Sequence, residues 1–297
     1  MKKILLACSA AAILFITSNG CKEIGPNVNL STATATDSPY TVSPVPVAQA
    51  HNVLVEDFSG QHCSNCPSAH ASAESAAAAS NGHVNIITYY YDISSQSDPI
   101  AGSLHDFRDT VAARRIDAQY YNGVSDLPHG GIDRVPNSSG SLAIDYTTWP
   151  GVISSRLPVV DSVNLKVTSY WDAAANKATI KATIVYLYPN TFTQNLSVVI
   201  VEDSMVDKQS DGIHIDETYL FLDVFRAMVT NIPAGDPILP ALTTKIAGQA
   251  DMRTYTYTPA AVVPAIVPKH CRVVAFVSST NGTDQHILQS ATAPLVP

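Results

Sequence analysis

Cys63-Ser64-Asn65-Cys66, followed directly by Pro67, is the stretch of this chain best equipped for chemistry. Two thiols three positions apart can be joined and parted within a single turn. If that turn leads into a helix, Cys63 faces unpaired backbone N–H groups and the positive end of the helix dipole, which favours its thiolate. Cys63 is then the attacking thiol and Cys66, one turn into the helix, the resolving one. Pro67 fits the first helical turn, where its missing N–H costs little. His62 has two readings, an imidazolium that further favours the Cys63 thiolate or a solvated turn residue. Two rivals use the same residues. One is an inert local disulfide; the other is a soft-metal site of His62, Cys63, Cys66 and His70, the last two one helical turn apart.

The surrounding pattern supplies elements to hold such a turn. Val53 to Phe58 (VLVEDF) reads as a strand broken by Gly60, and either Glu56 or Asp57 can point inward from it. Cys66 to Ser80 is rich in Ala and Ser and ends at Asn81-Gly82, as a helix does. Val84 to Tyr91 is a second strand and Gly130 to Val135 a weaker third. Between them Ser103 to Tyr121 reads as a helix with Leu104, Phe107, Val111 and Ile116 near one face. A helix over Tyr146 to Leu157, begun or interrupted by Pro150, closes this part. Alternation of strand and helix predicts parallel pairing in an α/β unit over residues 50–158.

From Pro158 the texture becomes all-β. Val163–Trp171, Lys177–Tyr188, Leu196–Glu202, Cys271–Ser278 and Ile287–Ala291 are strand-like, and their number and spacing suit an antiparallel sandwich of immunoglobulin-like type over residues 159–297, from which strand count alone does not separate a small barrel. Asp203 to Pro268 reads as long loops with one strand near Leu220 to Val229. Each half is expected to hold its own core. Asp207, Asp211, Asp216 and Glu217 form an acidic stretch without EF-hand spacing, read as solvated rather than as a calcium site. Cys271 opens an apolar run and reads as a buried free cysteine.

The N-terminus decides the compartment. Lys2 and Lys3 precede an apolar run from Ile4 to Ile16, the layout of a secretory signal over residues 1–20 and too short to span a bilayer. Thr17-Ser18-Asn19-Gly20-Cys21 resembles a loose lipobox, with Ser18 where most have Leu, which makes Cys21 the lipidated residue. Residues 21–49, rich in Thr, Ser, Ala and Pro, read as a flexible tether from the lipid. Loss of the signal removes Lys2 and Lys3, leaving 15 basic residues against 25 acidic ones and a net charge of −10. A surface that acidic excludes nucleic acid as a natural partner. With Cys8 removed and Cys21 acylated, three thiols remain, two of them in one CxxC; in an exported chain this points to redox chemistry rather than to a disulfide framework or a zinc site. No cofactor is implied.

The segment VLVEDFSGQHCSNCP, with Leu127-Pro128 and GGIDR downstream, resembles the twenty-eight-kilodalton outer-membrane lipoprotein family of Bacteroidetes-type bacteria, whose N-terminal half belongs to the thioredoxin-like superfamily. The resemblance implies an α/β thioredoxin-like domain followed by the all-β sandwich. It makes Cys63 and Cys66 the active-site pair, Pro128 the proline preceded by a cis peptide bond beside the disulfide, and Asp57 the buried acid that relays protons to the resolving thiol. His62 stands where thioredoxins carry Trp, and Ser64-Asn65 replaces their Gly-Pro. Two functions follow: a thiol–disulfide oxidoreductase acting on envelope proteins, or a surface binding and adhesion lipoprotein in which the disulfide is structural. In both, the protein sits at the outer membrane through its lipid, on the periplasmic or the outer face, and its partners are envelope or surface proteins.

Overall fold

The structure is a computed structural model that describes residues 36–123, 126–260 and 265–297. The signal segment and Cys21 therefore lie outside the described residues. Strands dominate: β1 (Thr36–Thr41), β2 (Val53–Ser59), β3 (Val84–Tyr90), β4 (His129–Ile132), β5 (Val163–Asp172), β6 (Lys177–Tyr186), β7 (Gln194–Glu202), β8 (Met205–Ser210), β9 (Ile215–Phe221), β10 (Val224–Met228), β11 (Asp236–Pro237), β12 (Gln249–Tyr257), β13 (Cys271–Ser279) and β14 (Ile287–Pro294). The α-helices are α1 (Cys66–Ala79), α2 (Ala112–Tyr120) and α3 (Trp149–Arg156).

An eight-stranded sheet forms the spine, in the order β14-β13-β7-β10-β3-β2-β4, with β11 also on β7. β2 and β3 pair in parallel from Val53↔Val84 to Ser59↔Tyr90, and both are buried almost throughout. Such unbroken apolar runs belong to strands covered on both faces. On one face Val53, Val55 and Ile86 pack with Ala69 and Ala73 of α1 and with Trp149 and Ile153 of α3. On the other, Leu54, Phe58 and Ile87 pack with Ala113 and Ile116 of α2. β4 joins β2 antiparallel, through Phe58↔His129 and Asp57↔Gly130, which departs from the all-parallel expectation. Gly130 allows the approach, because a Cβ there would lie 2.0 Å from Glu56 O.

The sheet does not stop at residue 158. β10 pairs in parallel with β3 at Val224↔Thr88 and antiparallel with β7, so strands from both halves share one hydrogen-bonded sheet. β7 and β13 serve two cores at once: Val198, Ile200, Val273 and Ala275 face a sandwich core with β5 and β6, while Val199, Val201, Val274 and Phe276 join the cluster of Leu54, Phe58 and α2. Each half also holds a cluster of its own, around Val163, Ile180 and Tyr255 in one and around Val53, Ala69 and Trp149 in the other, and a third cluster spans both. The four-stranded sheet β1-β12-β6-β5 closes the sandwich.

Three further expectations change. Residues 36–49 are not slack: β1 pairs antiparallel with β12 from Thr36↔Thr254 to Thr41↔Gln249, because an extended polar segment can satisfy the open edge of a sheet. Among the described residues, Asp203 to Pro268 carries five strands, β8 to β12, where one was expected, with loops between them. The helix expected from Ser103 starts only at Ala112, because Asp109 Oδ1 accepts from the N–H groups of Val111, Ala112 and Ala113; Leu104 is left 76% exposed.

A polar seam locks the halves together. The buried His51 imidazole bridges Asp161 Oδ2 at 2.6 Å and Asp133 Oδ2 at 2.7 Å. Burial alone would lower its pKa, but the two carboxylates carry it up to about 9.

Candidate functional site

Cys63 and Cys66 are joined as a disulfide at the point where β2 gives way to α1. Gly60 makes the turn: a Cβ there would lie 2.3 Å from Gln96 O, and the neighbouring His62 N–H donates to that same oxygen. The Cys63 N–H then donates to Gly60 O and the Cys66 N–H to Cys63 O, at 3.1 and 3.3 Å. α1 begins at Cys66 with Pro67 in its first turn. Leu127, whose bond to Pro128 is cis, shares a packed cluster with both cysteines and Phe58.

Both cysteines are 0% exposed, and their cover comes from 140 residues downstream. The hairpin of β8 and β9 forms a two-stranded sheet of its own and lies over the turn. Gln209 Nε2 donates to Gly60 O and Cys63 O at 3.2 and 3.3 Å, and the Ser210 N–H donates to Gln61 O at 2.9 Å. Gln61 Nε2 answers with Lys208 O at 3.0 Å. Gly212, at φ +87°, lies so close to Ser64 that a Cβ would come within 2.7 Å of its side chain.

Glu56 and Asp57 are both buried but sit on opposite faces of β2. Glu56 is held by Arg134, Nε to Oε2 at 2.7 Å and a terminal nitrogen to Oε1 at 2.8 Å, and by the Tyr89 and Tyr121 hydroxyls. Asp57 has neither carboxylate oxygen hydrogen-bonded, and burial pushes its pKa up to about 8. His70, on α1, brings Nε2 to 3.5 Å from Asp57 Oδ2, but this is no ion pair, since burial also lowers the imidazole to about 4 and both groups stay neutral. His70 instead engages Ser59 Oγ through Nε2 and the Tyr219 hydroxyl through Nδ1, each at 2.8 Å. Asp57, Pro67, His70, Glu74 and Tyr219 line a cleft of about 210 Å³ between α1 and β9.

The remaining sequence candidates fall elsewhere. His62 is exposed at the turn. The soft-metal reading of His62, Cys63, Cys66 and His70 fails on geometry, because the sulfurs are bonded to each other and His70 turns to Ser59 and Tyr219. Cys271 is buried and free, burial raises its thiol, and its S–H donates to Val267 O. The acids of 207–217 do not converge: Asp207 accepts from the N–H groups of Leu104 and His105, Asp211 caps Ile213 and His214, Asp216 caps Thr218 and Glu217 pairs with Lys208. No cluster able to hold a metal occurs among the described residues. Sequence reasoning missed Gln209 and Tyr219 altogether, with no local pattern to mark them, and it quoted Arg134 only within GGIDR, without its role as the partner of Glu56.

Residues 116–293 match the family described as outer membrane protein Omp28. Among solved structures, HBP35 of Porphyromonas gingivalis is similar at a TM-score of 0.62 and 13% identity, over 84% of this chain and 77% of that one; at that identity the likeness shows a common fold alone. A protein of Agrobacterium tumefaciens is similar at a TM-score of 0.48 and 14% identity, over 84% of this chain and 96% of that one. A domain of the outer membrane lipoprotein Omp28 from Porphyromonas gingivalis is similar at 0.31 and 15%, over 46% and 90%. None of the curated proteins matches the sequence.

Proposed function

The chain belongs to the Omp28 outer membrane protein family, and on that premise we propose that it is an envelope thiol–disulfide oxidoreductase whose Cys63–Cys66 pair exchanges with partner proteins. In this reading residues 50–158 are a thioredoxin-like unit and residues 159–297 an immunoglobulin-like sandwich built onto its sheet. Cys21 carries the lipid that holds the protein at the outer membrane. The family match begins at residue 116, beyond both cysteines, so the chemistry rests on the site and not on membership.

Asp57 is the observation that carries the reading. A buried carboxyl with no hydrogen bond costs stability, and a disulfide kept only as a staple has no use for one. Asp57 shares its cleft with Pro67, the residue after Cys66, and near an exchanging pair such a group has a use, because a thiol must lose its proton before its sulfur can attack. The exchange balances as follows. The Cys63 thiolate attacks one sulfur of a substrate disulfide, and the other substrate sulfur leaves as a thiolate that takes up a proton. Cys66, its proton taken by Asp57 in the carboxylate form that grows as pH nears about 8, attacks Cys63 Sγ, closes the Cys63–Cys66 disulfide and releases the second substrate sulfur as a thiolate that takes up a proton. Two electrons pass to the substrate; a dithiol protein of the envelope returns the pair to its reduced state by the reverse steps.

Full burial of both cysteines under the β8–β9 hairpin favours a second reading, a binding lipoprotein with a structural disulfide. Trapping separates the two. In the oxidoreductase, Cys66→Ala leaves substrate proteins covalently held on Cys63 and releasable by reductant, whereas Cys63→Ala holds none. Equal loss of stability in both variants, with no adduct in either, rejects the exchange reaction and supports the staple. The anchor has its own check: Cys21→Ser should move the protein from the membrane to the soluble fraction, and retention in the membrane rejects lipidation there.

A further inference from the structure

The cleft at Asp57 continues into a second hollow of about 270 Å³, and Pro67 and Tyr219 line both. Pro67 follows Cys66, so this trough starts beside the disulfide and runs between α1 and the hairpin. Its walls are aliphatic, with Ala73, Ile86 and Leu220 in the first hollow and Ile215 in the second. Its carboxyl groups are Asp57 and Glu74 in the first hollow and Asp211 and Asp216 in the second; His70 and His214 line it as well, and no lysine or arginine does. Asp57 is 1% exposed, and both its oxygens lack a hydrogen-bond donor while it lines the cleft. A carboxyl in that state gains most from a donor that brings a positive charge.

We propose that this trough is a recognition site for a lysine or arginine side chain of the polypeptide presented to the disulfide, its aliphatic stem against Ile86 and Leu220 and its cation at Asp57 and Glu74. The proposal rests on the exchange reading and names its substrate class: extended segments carrying a basic residue near the cysteine that is attacked. The aliphatic stem and terminal cation of lysine match a trough with apolar walls and an acidic floor. Arg272 acts on Glu74 from a distance, but it is engaged by Asp203 and Asp223 and does not line the cleft.

The trough also predicts a pH signature. Asp57 is faced by His70 and Glu74 from α1, by Tyr90 from β3 and by Tyr219 from β9. Of these, His70 is neutral above about 4, and burial raises both tyrosines above their ordinary range. Burial raises the Asp57 and Glu74 carboxyls, so their ionisation strengthens cation binding as pH rises, with Asp57 completing the change near about 8.

The test is equilibrium binding of blocked tetrapeptides, acetyl-Gly-Ile-Lys-Gly-amide and its norleucine and glutamate counterparts, to the full-length oxidised protein. The lysine peptide should bind at least tenfold more tightly than the norleucine peptide, more tightly at pH 8 than at pH 6, and the glutamate peptide least. Asp57→Asn, which keeps the shape, should abolish the preference, and Glu74→Gln should halve it or more. Equal binding of the lysine and norleucine peptides, or a preference undisturbed by Asp57→Asn, overturns the site. Binding of n-butylamine as tight as that of the lysine peptide overturns the polypeptide assignment in favour of a free amine. Failure of Cys66→Ala to trap substrate, with the lysine preference intact, rejects the exchange reaction and keeps the site; trapping without the preference does the opposite.

Discussion

Glu56 and Asp57 are neighbours on one strand, equally buried and equally acidic, yet their surroundings are opposite. Glu56 is met by a guanidinium and two phenol hydroxyls, so its charge is matched within the fold. Asp57, one residue on and one face over, meets aliphatic groups and a neutral imidazole. The first arrangement is what a fold needs if a carboxylate is to stay ionised inside it. The second lowers stability, and proteins keep such groups where proton transfer or binding uses them. On the paired side, then, the sequence specifies structure, and on the open side it specifies work.

The comparison breaks first at Arg134. Arg134→Leu leaves Glu56 buried without its guanidinium partner, and urea unfolding should show a loss of about 3–5 kcal/mol; a loss below about 1 kcal/mol means that the pair contributes little to holding the fold.

Asp57→Asn should do the reverse and stabilise the protein at pH 7 by on the order of 2 kcal/mol. The sign follows from protons bound. Folded Asp57 holds its proton up to about 8, unfolded Asp loses it near 4, so this group's contribution falls as pH rises across that window. His70, lowered to about 4 from 6.5, contributes a rise between those values. The two cancel from about 4 to 6.5, leaving a fall from 6.5 to 8. His51 adds a parallel fall from 6.5 to about 9 in both proteins. Both histidines are common to the two proteins, so the difference between wild type and Asp57→Asn carries the Asp57 contribution alone and should grow between about 4 and 8; a difference independent of pH there removes the open carboxyl from the account.

The smallest effect belongs to the hairpin. Gln209→Ala removes the long bonds from one nitrogen to Gly60 O and Cys63 O, together worth about 1 kcal/mol net, and should speed reduction of Cys63–Cys66 by dithiothreitol roughly five- to tenfold. An unchanged rate means that the hairpin does not govern access to the pair.

The local parts of this site are legible in the sequence. The strand VLVEDF, the Gly60 turn, the CxxC and the Ala-rich helix are contiguous, and their periods and breakers act over a few residues. What escapes are contacts between distant segments. Gln209 reaches Cys63 across 146 positions and Tyr219 reaches His70 across 149, and nothing in Met205 to Phe221 marks it as a cover. Pairing of β10 with β3 rests on Val224↔Thr88, which leaves no pattern either. One signal was present: Val198 to Val201 and Val273 to Val277 are apolar at successive positions, as strands covered on both faces must be, whereas sandwich strands with one wet face alternate. The spacing of Leu104, Phe107 and Val111 pointed to a helix that two aspartates, Asp109 and Asp207, divert by taking the backbone N–H groups a helix would use.

The pairing of β1 with β12 bears on the length of any tether ahead of the fold. If Cys21 carries the proposed lipid, fourteen residues lie between it and Thr36, a fully stretched reach of about 50 Å. Were residues 36–49 slack as well, the leash would be nearly twice as long, so the docked strand would roughly halve the distance over which the proposed exchange could find its substrates.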